Sequence, residues 1–416
     1  MKKFALLVLV VLLGAAAAQT NLTLSIGVRG FGAATEVLIE QCEQELDVSI
    51  EWQRVSDVPG ESRALYVTNF SARNPVPDVL AVDVIWPGDF AARGWIAPLD
   101  AYFSETELAE YLPGFAAAAQ VNRSTYAIPL YIDGIHLFYR SDLLEQYGFE
   151  PPRTWEELID QARTIVDGEG DPDLVGFVSM WAKIEGLFMN YLAFLSGAGG
   201  SFFDADGNLA FDGPEGVKAL QTMVDMLYEE RIVPESVLTF RPDDARILFQ
   251  QRRAVFMMVQ DFVLDPLTAA DSPVRDSVAF TRVPVFEGVP EDTASTVSGG
   301  FLLAVNAHSR HPEAAADLIR CFTSYDAQVT ATLVQGKVPV RPSVYDDSRV
   351  QSERPVVAEL GDNFNYALTR PSAQTGTAYP EISEIMQTEI SAALLRQKSP
   401  EQALRDAATQ IRFALP

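Results

Sequence analysis

The sequence predicts an α/β protein with a largely parallel sheet and two sizeable hydrophobic cores. Segments in which apolar and polar residues alternate are followed by segments of helical period along most of the 416 residues. This order predicts parallel strands joined by right-handed helical crossovers. The length corresponds to roughly two to three domains of ordinary size, and an apolar fraction of 48% is typical of globular proteins. We therefore expect two cores rather than one.

The first residues have the composition of a secretory signal peptide. Lys2 and Lys3 precede an apolar run over 4–13, and the small residues 16–18 stand where a signal peptidase cleaves. We expect residues 1–18 to be removed by cleavage near Ala18, which places the mature protein in the periplasm or outside the cell. No later segment reaches the roughly 20 uninterrupted apolar residues of a membrane helix, and no cysteine near the cleavage site would carry a lipid. We therefore expect a freely diffusing protein.

The first predicted elements after the signal peptide form a β-α-β unit. Alternating residues predict strands over 22–28 and 48–55, with a helix over 35–46 between them. Residues 78–84 predict a further apolar strand, and Asp83 lies at its C-terminal end. Open parallel sheets bind ligands beyond the carboxyl ends of their strands, so Asp83 is a candidate binding residue. An aspartate that only caps the following loop is the alternative.

Residues 126–158 are the most informative part of the chain. An extended apolar run places Tyr131 and Asp133 two residues apart, so both side chains project from one face of a strand. A sugar offers flat C–H faces for stacking and many hydroxyls for hydrogen bonds. A ring and a carboxylate on one face therefore suit a sugar.

Helices and short strands alternate through the rest of the chain. Ser141 is the predicted N-cap of a short helix that ends at Gly148, and Thr154 with Glu157 predicts a capping box for the next helix. The other predicted helices span 155–166, 214–230, 242–251 and 312–322, and the other predicted strands span 176–179, 254–259 and 299–305. Residues 204–208 resemble part of a calcium loop but lack its distant glutamate, so we predict a hairpin turn there.

The composition disfavours several kinds of partner. A formal net charge of −26 disfavours nucleic acid and anionic membrane surfaces, because both are negatively charged. The two cysteines, Cys42 and Cys321, are too few for a zinc site. They form one long-range disulfide if their predicted helices pack side by side, and two buried thiols are the alternative. We expect no cofactor.

Six short motifs occur in a fixed order along the chain. They are 77–86 (PDVLAVDVIW), 94–100 (GWIAPLD), 131–133 (YID), 249–251 (FQQ), 298–301 (SGGF) and 379–382 (YPEI). Their order and spacing resemble the extracellular solute-binding proteins of carbohydrate ABC transporters, and most closely the trehalose/maltose-binding proteins. The resemblance implies a two-lobed periplasmic binding protein fold of type II, like that of maltose-binding protein, with the ligand cleft between discontinuous lobes. Its implied boundaries are 19–131 and 299–336 for lobe 1, and 132–298 and 337–416 for lobe 2.

The resemblance also implies a set of ligand-binding residues. Asp83, Tyr131 and Asp133 match the family's sugar-binding positions, and Arg370 matches an arginine whose rigid fork would clamp adjacent hydroxyls. Gly299 and Gly300 would let backbone groups approach the ligand because glycine has no Cβ, with a simple turn as the alternative.

Aromatic positions of the family differ in this chain. Gln260 and Phe262 stand where the trehalose/maltose-binding proteins carry a tryptophan and a tyrosine, and Phe301 replaces a tryptophan. We expect these three residues to line the pocket. Trp181 is a further candidate ring, and a core tryptophan is the alternative. The lost stacking surface leaves another oligosaccharide or a polyol open as the ligand.

The predicted function is the substrate-binding component of an ABC importer. We expect a monomer that captures a sugar, a di- or oligosaccharide, by hinge closure and delivers it to the transmembrane subunits of a permease. One alternative is a secreted carbohydrate-active hydrolase in which Asp83 and Asp133 act as acid and base. The sequence lacks the Gly-x-Ser-x-Gly and His-Glu-x-x-His motifs, so we expect no enzyme. The other alternative is a binding protein for a polyol or a polyamine.

Overall fold

In the computed structural model of the chain, the described residues are 19–28, 31–293, 296–364 and 367–415. The predicted signal peptide, residues 1–18, lies outside them. The strands are β1 Thr20–Gly27, β2 Val48–Val55, β3 Val79–Asp83, β4 Gln120–Val121, β5 Ser124–Thr125, β6 Ile128–Arg140, β7 Val175–Ser179, β8 Ala254–Gln260, β9 Val278–Thr281, β10 Thr296–Val305 and β11 Ala367–Thr369.

The helices cover most of the remaining chain. They are α1 Ala33–Leu46, α2 Pro59–Ser71, α3 Pro87–Ala92, α4 Glu105–Leu108, α5 Pro113–Ala118, α6 Ser141–Tyr147, α7 Trp155–Glu169, α8 Glu185–Gly197, α9 Pro214–Tyr228, α10 Pro242–Gln250, α11 Leu264–Thr268, α12 Pro312–Phe322, α13 Tyr325–Gln335, α14 Pro342–Tyr345, α15 Ser348–Glu353, α16 Pro355–Asn363, α17 Ser372–Thr375, α18 Tyr379–Leu394 and α19 Pro400–Ala414. Short 3₁₀ helices span Glu235–Thr239, Asp261–Val263 and Gly376–Ala378.

The main sheet has the strand order β2-β1-β3-β10-β6-β8-β7, with β11 paired to β10 and β9 paired to β6. β1 runs parallel to β2 and β3, and β7 runs parallel to β8. β10 is antiparallel to β3 and β6, and β6 is antiparallel to β8 and β9. The prediction of a largely parallel sheet is therefore wrong, and the sheet is mixed. Its antiparallel pairs arise because β6 and β10 carry the chain across the middle of the molecule in opposite directions.

Strand β6 joins two halves of the molecule. Its first half pairs with β10 up to Gly134, and its second half pairs with β8 and β9 from Ile135 onward. We call the part built on β1, β2, β3, β10 and the first half of β6 lobe 1, and the part built on the second half of β6, β7, β8 and β9 lobe 2. In lobe 2, the C-terminal helices α18 and α19 pack on each other and on α8 and α9. Helices α14 and α15 pack on α13.

Local sequence signals explain several helix ends. Thr154 and Glu157 form the predicted capping box, each side chain accepting from the other residue's backbone N–H. Gly148 ends α6 in the left-handed conformation, with φ of 72°. The predicted N-cap at Ser141 is wrong by one residue, because Arg140 holds that position and Ser141 is the first helical residue.

The loop at 204–208 forms the predicted hairpin turn. The Asp204 carboxylate accepts from the backbone N–H groups of Asp206 and Asn208, and Phe203 pairs with Leu209 across the turn. The Asp204 carboxylate is therefore occupied by hydrogen bonds within the turn. No cluster of acidic, histidine or cysteine side chains in the described part of the chain has the arrangement of a metal site.

The two cysteines form a disulfide, which decides between the two alternatives. Cys42 lies on α1 and Cys321 on α12, with Cα atoms 6.0 Å apart. The bridge joins positions separated by 279 residues. A cross-link over so long a loop restricts the unfolded chain strongly. The disulfide connects α1, near the start of lobe 1, to α12, which lies in the part of lobe 1 that follows lobe 2 in the sequence.

Candidate ligand-binding site

A cleft of about 760 Å³ lies where the two lobes meet. Elements of both lobes line it, including the ends of β1 and β3, the start of α8 and the start of α18. The predicted site residues that line this cleft are Asp83, Tyr131, Asp133, Gln260, Phe262, Gly299, Gly300, Phe301 and Arg370. The structure therefore brings together nine of the ten predicted residues.

Trp181 is the predicted site residue that lies elsewhere. Its side chain is 1% exposed and belongs to the core that also contains Phe177. The indole N–H donates to Asn190 Oδ1 over 3.2 Å, so the polar edge of the ring is satisfied inside the protein. Met180 next to it lines the cleft instead. Trp181 is thus a core residue, as its alternative interpretation stated.

Strand register explains why distant residues meet in the cleft. Phe301 of β10 is paired with Asp83 of β3 on one side and with Tyr131 of β6 on the other. Side chains of directly paired residues lie on the same face of a sheet. The three side chains therefore form a row across three strands, although their positions in the sequence are far apart.

The double glycine makes room for this row. Gly299 is paired with Asp133, and a Cβ on Gly299 would lie 2.4 Å from the Asp133 Oδ1 atom. Gly300 has φ of 136°, and a Cβ there would lie 2.4 Å from the Tyr131 carbonyl oxygen. Gly300 therefore requires glycine for its backbone conformation and its close approach to a carbonyl oxygen, whereas a side chain at Gly299 would displace the Asp133 carboxylate. This is close packing within a strand rather than a turn.

Aromatic rings form one wall of the cleft. The rings of Tyr131 and Phe301 are stacked, with centroids 5.6 Å apart and planes inclined by 29°. The Trp86 ring meets Phe301 edge to face with centroids 6.4 Å apart. Trp86 lies in one of the sequence motifs, but no role was predicted for it. Tyr131 and Trp86 are 5% and 2% exposed, so Phe301, which is partly exposed, offers the flat apolar surface that stacks on C–H faces.

Arg370 connects the two lobes at the base of the cleft. Its Nη2 donates to Asp83 Oδ1 over 2.6 Å, and its Nη1 donates to Glu185 Oε1 over 3.2 Å. Asp83 ends β3 in lobe 1 and Glu185 begins α8 in lobe 2, so we call these three residues the interlobe clasp. Burial alone would lower the pKa of Arg370, but the negative charges of Asp83 and Glu185 outweigh burial and raise it. The guanidinium therefore stays charged.

Helix α18 holds Glu185 in place. The hydroxyl groups of Tyr379 and Ser383 both donate to the Glu185 carboxylate. The N-terminus of α8 adds a favourable partial positive charge. Sequence patterns indicated neither Glu185 nor Ser383. Their contact depends on the packing of α18 against α8, and Ser383 follows Glu185 by 198 residues in the chain.

Asp133 has a different environment from Asp83. Its side chain is partly exposed to the cleft, and within the described residues it forms no hydrogen bond or ion pair. Burial raises the pKa of Asp133 to about 7, and the nearby Asp261 adds to the shift. The positive charges of Lys337 and Arg370 oppose it in part. Asp133 is thus an unpaired acceptor facing the cleft.

Two further polar groups at the cleft also have unused hydrogen-bonding capacity. Gln260 Oε1 and Arg370 Nε are buried and have no hydrogen-bond partner among the described residues. The Gln260 amide nitrogen lies 3.9 Å from the Met189 sulfur, which is a weak acceptor. The cleft therefore combines a ring-lined wall with one open carboxylate, and beside it lie an amide oxygen and a guanidinium N–H that are buried without a partner.

A two-lobed α/β fold with such a cleft at the junction of its lobes defines a solute-binding protein. Residues 28–329 match the family described as bacterial extracellular solute-binding protein, and the chain belongs to this family. The family acts outside the cytoplasm, in the periplasm or in the extracellular space. Within the described residues, no helix has the length and apolar composition that crossing a bilayer requires.

Solved and curated relatives agree with this assignment over nearly the full length. The structure of T. maritima MalE3 with bound maltose superposes with a TM-score of 0.89 at 36% identity, covering 95% of this chain and 100% of that one. A probable ABC transporter-binding protein of Deinococcus radiodurans is 29% identical and covers 97% of both chains. The mannitol-binding protein of Pseudomonas aeruginosa is 25% identical over 87% of this chain and 85% of its own. The similarity to the MalE3 structure confirms the predicted two-lobed fold of the maltose-binding-protein type.

Proposed function

We propose that the protein captures a neutral sugar or polyol in the interlobe cleft and delivers it to the permease of an ABC importer. The observation that carries this proposal is the pairing of the Tyr131–Phe301 wall with the unpaired Asp133 carboxylate. Rings stack on the C–H face of a sugar while the carboxylate accepts from its hydroxyls. The relatives that bind maltose and mannitol support this ligand class. A di- or oligosaccharide fits the cleft volume of about 760 Å³.

Charged residues of both signs line the cleft. Next to the candidate site residues, Lys337 and Arg370 oppose a cation, while Arg370 already neutralises the carboxylates of Asp83 and Glu185. A neutral ligand with many hydroxyls can use both kinds of group as hydrogen-bond partners. The hydrolase alternative has less support, because Asp83 is engaged with the Arg370 guanidinium and is not available as an acid or base.

Binding is coupled to movement of the lobes in this proposal. A ligand that contacts both lobes stabilises the closed arrangement by its differential affinity for that arrangement over the open one. The proposed lobes are 19–131 with 299–336 and 132–298 with 337–416, with crossings near residues 131, 298 and 337. Within the last segment, α14 and α15 contact α13 of lobe 1 and β11 pairs with β10. The closed surface is what the transmembrane subunits of the permease recognise. The mature protein begins after cleavage near Ala18, acts as a monomer and uses no cofactor or nucleic acid.

A thermal-shift screen tests the ligand class. Maltose, trehalose, mannitol and spermidine are added separately to the purified mature protein, and the melting temperature is recorded. A ligand at 100 times its Kd stabilises the folded state by about 2.7 kcal/mol. We expect a neutral sugar or polyol to raise the melting temperature and spermidine to leave it unchanged. A shift with spermidine alone would contradict the proposal, and new reducing ends after incubation with the disaccharides would favour the hydrolase.

Replacing Asp133 with alanine tests the binding role of this carboxylate. We expect the Kd for the ligand from the screen to rise about 10- to 100-fold, since a hydrogen bond to a charged group contributes about 1.5–3 kcal/mol. Isothermal titration calorimetry measures the affinity, and circular dichroism checks that the fold is retained. Asp276→Ala is the matched control because its side chain is 97% exposed. Equal affinities of Asp133→Ala and the wild type would remove Asp133 from the site.

A further inference from the structure

Lys337 lies in the cleft wall, and its backbone is held firmly. It follows α13, whose end is marked by Gly336 in the left-handed conformation. The Lys337 carbonyl oxygen accepts from Thr332 Oγ1 over 2.8 Å, and the next residue, Val338, bridges to Ile132 of β6. Backbone contacts of Lys337 and of its neighbours therefore fix the position of the Lys337 Cα atom.

The Lys337 side chain is largely buried, and its ammonium has no hydrogen-bond partner among the described residues. The residue is only 9% exposed and lines the cleft. Its Nζ atom lies 4.6 Å from the centroid of the Tyr131 ring, and its side chain forms no hydrogen bond or ion pair with any residue between 19 and 415 that the structure describes. A cation–π contact offsets part of the desolvation cost. The three N–H donors of the ammonium are unused within the protein, so they are open to a molecule in the cleft.

Lys337 and Asp133 together border the Tyr131 ring. Asp133 is two residues from Tyr131 on the same face of β6, and Lys337 lies over the ring itself. One group is an unpaired acceptor and the other an unpaired donor. By contrast, Asp83, Arg370 and Glu185 bond to one another in the interlobe clasp. An unpaired donor and an unpaired acceptor therefore flank the Tyr131 ring.

We propose that Lys337 is a ligand-contacting residue that selects neutral over cationic solutes. Its ammonium donates to a hydroxyl oxygen of a solute bound against the Phe301 side of the Tyr131–Phe301 wall, while Asp133 accepts from a neighbouring hydroxyl of the same solute. The ammonium also repels cations from a cleft whose unpaired carboxylate, Asp133, would otherwise attract them. This role rests on the proposed function and adds a specificity-determining residue to it.

The test compares Lys337→Met with wild type on neutral and cationic probes. Methionine keeps the unbranched side chain and removes the charge and the donors. At pH 7, we expect the Kd for maltose or mannitol, whichever binds the wild type, to rise about 10- to 100-fold. We expect the ratio of the affinity for glucosamine, a cation at this pH, to the affinity for the neutral probe to increase at least tenfold. Calorimetry measures both affinities.

Lys218→Met is the matched control. Lys218 also lies over an aromatic ring, with Nζ 4.2 Å from the Phe286 centroid, but it is outside the residues that line the cleft. We expect this variant to bind as the wild type does, and a loss equal to that of Lys337→Met would overturn the proposal. Lys337→Gln, which keeps a polar side chain, takes the place of Lys337→Met if the latter fails to fold.

The results distinguish a failure of the proposed function from a failure of the proposed role of Lys337. If the wild type binds none of the sugars and polyols of the screen, including maltose and mannitol, the proposed function fails. The role of Lys337 then fails with it. If the wild type binds and Lys337→Met binds within twofold of it, only the role of Lys337 is overturned. Reduced neutral binding with an unchanged glucosamine ratio would overturn the selection of neutral over cationic solutes.

Discussion

Replacing Arg370 with alanine is expected to lower the free energy of unfolding by about 3–5 kcal/mol, because removal of one partner leaves buried charge uncompensated. Arg370 and Asp83 are 4% and 3% exposed, and Arg370 also neutralises Glu185. The variant would leave two carboxylates facing each other across the lobes without a cation between them. Denaturant unfolding monitored by circular dichroism measures the loss.

Arg153→Ala is the control for this prediction. Arg153 pairs with Glu291 at 3.5 Å, but their side chains are 70% and 59% exposed. Exposed ion pairs contribute about 0–1 kcal/mol, so we expect a loss within that range. A similarly small loss for Arg370→Ala would mean that water or rearranged side chains compensate the clasp carboxylates, and the clasp would then have no structural role.

The stability of the protein is expected to fall as the pH rises from about 4 to 7, and Asp133→Asn is expected to reduce that dependence. The pKa of Asp133 is about 7 in the folded protein, against an ordinary value of 3.8. Between these values the folded state binds more protons than the unfolded chain, so the contribution is complete below pH 4 and is lost as the pH rises through 7. The charged groups around this carboxylate are Asp83, Asp261, Lys337 and Arg370.

Unfolding experiments at pH 4, 5.5 and 7 test this expectation. One proton corresponds to a slope of at most about 1.4 kcal/mol per pH unit, and the difference between wild type and Asp133→Asn isolates it from other titrating groups. Asp276→Asn is the control, since that carboxylate is in solvent. Parallel profiles of wild type and Asp133→Asn would show that Asp133 titrates alike in the folded and unfolded states.

Sequence patterns predicted the parts of the site that depend on neighbouring residues. Tyr131 and Asp133 share a face because side chains alternate along a strand. The capping box at Thr154 and the stop at Gly148 follow from hydrogen bonds within one turn of helix. The signal peptide remains a prediction of the same kind, since it lies outside the described residues. The likeness of six ordered motifs to a family predicted the two-lobed fold, which composition and periodicity could not.

The sequence by itself determined the α/β class, the polar and aromatic content of the site and the acidic, exported character expected of the protein. Only the tertiary structure decided that Arg370 meets Asp83 across 287 positions, that Cys42 meets Cys321, that Trp181 stays in the core and that Lys337 lies over Tyr131. The physical reason is that strand register, helix packing and the path of the chain between the lobes are determined by how the whole chain buries its apolar surface. No local pattern encodes which distant charges share one cleft.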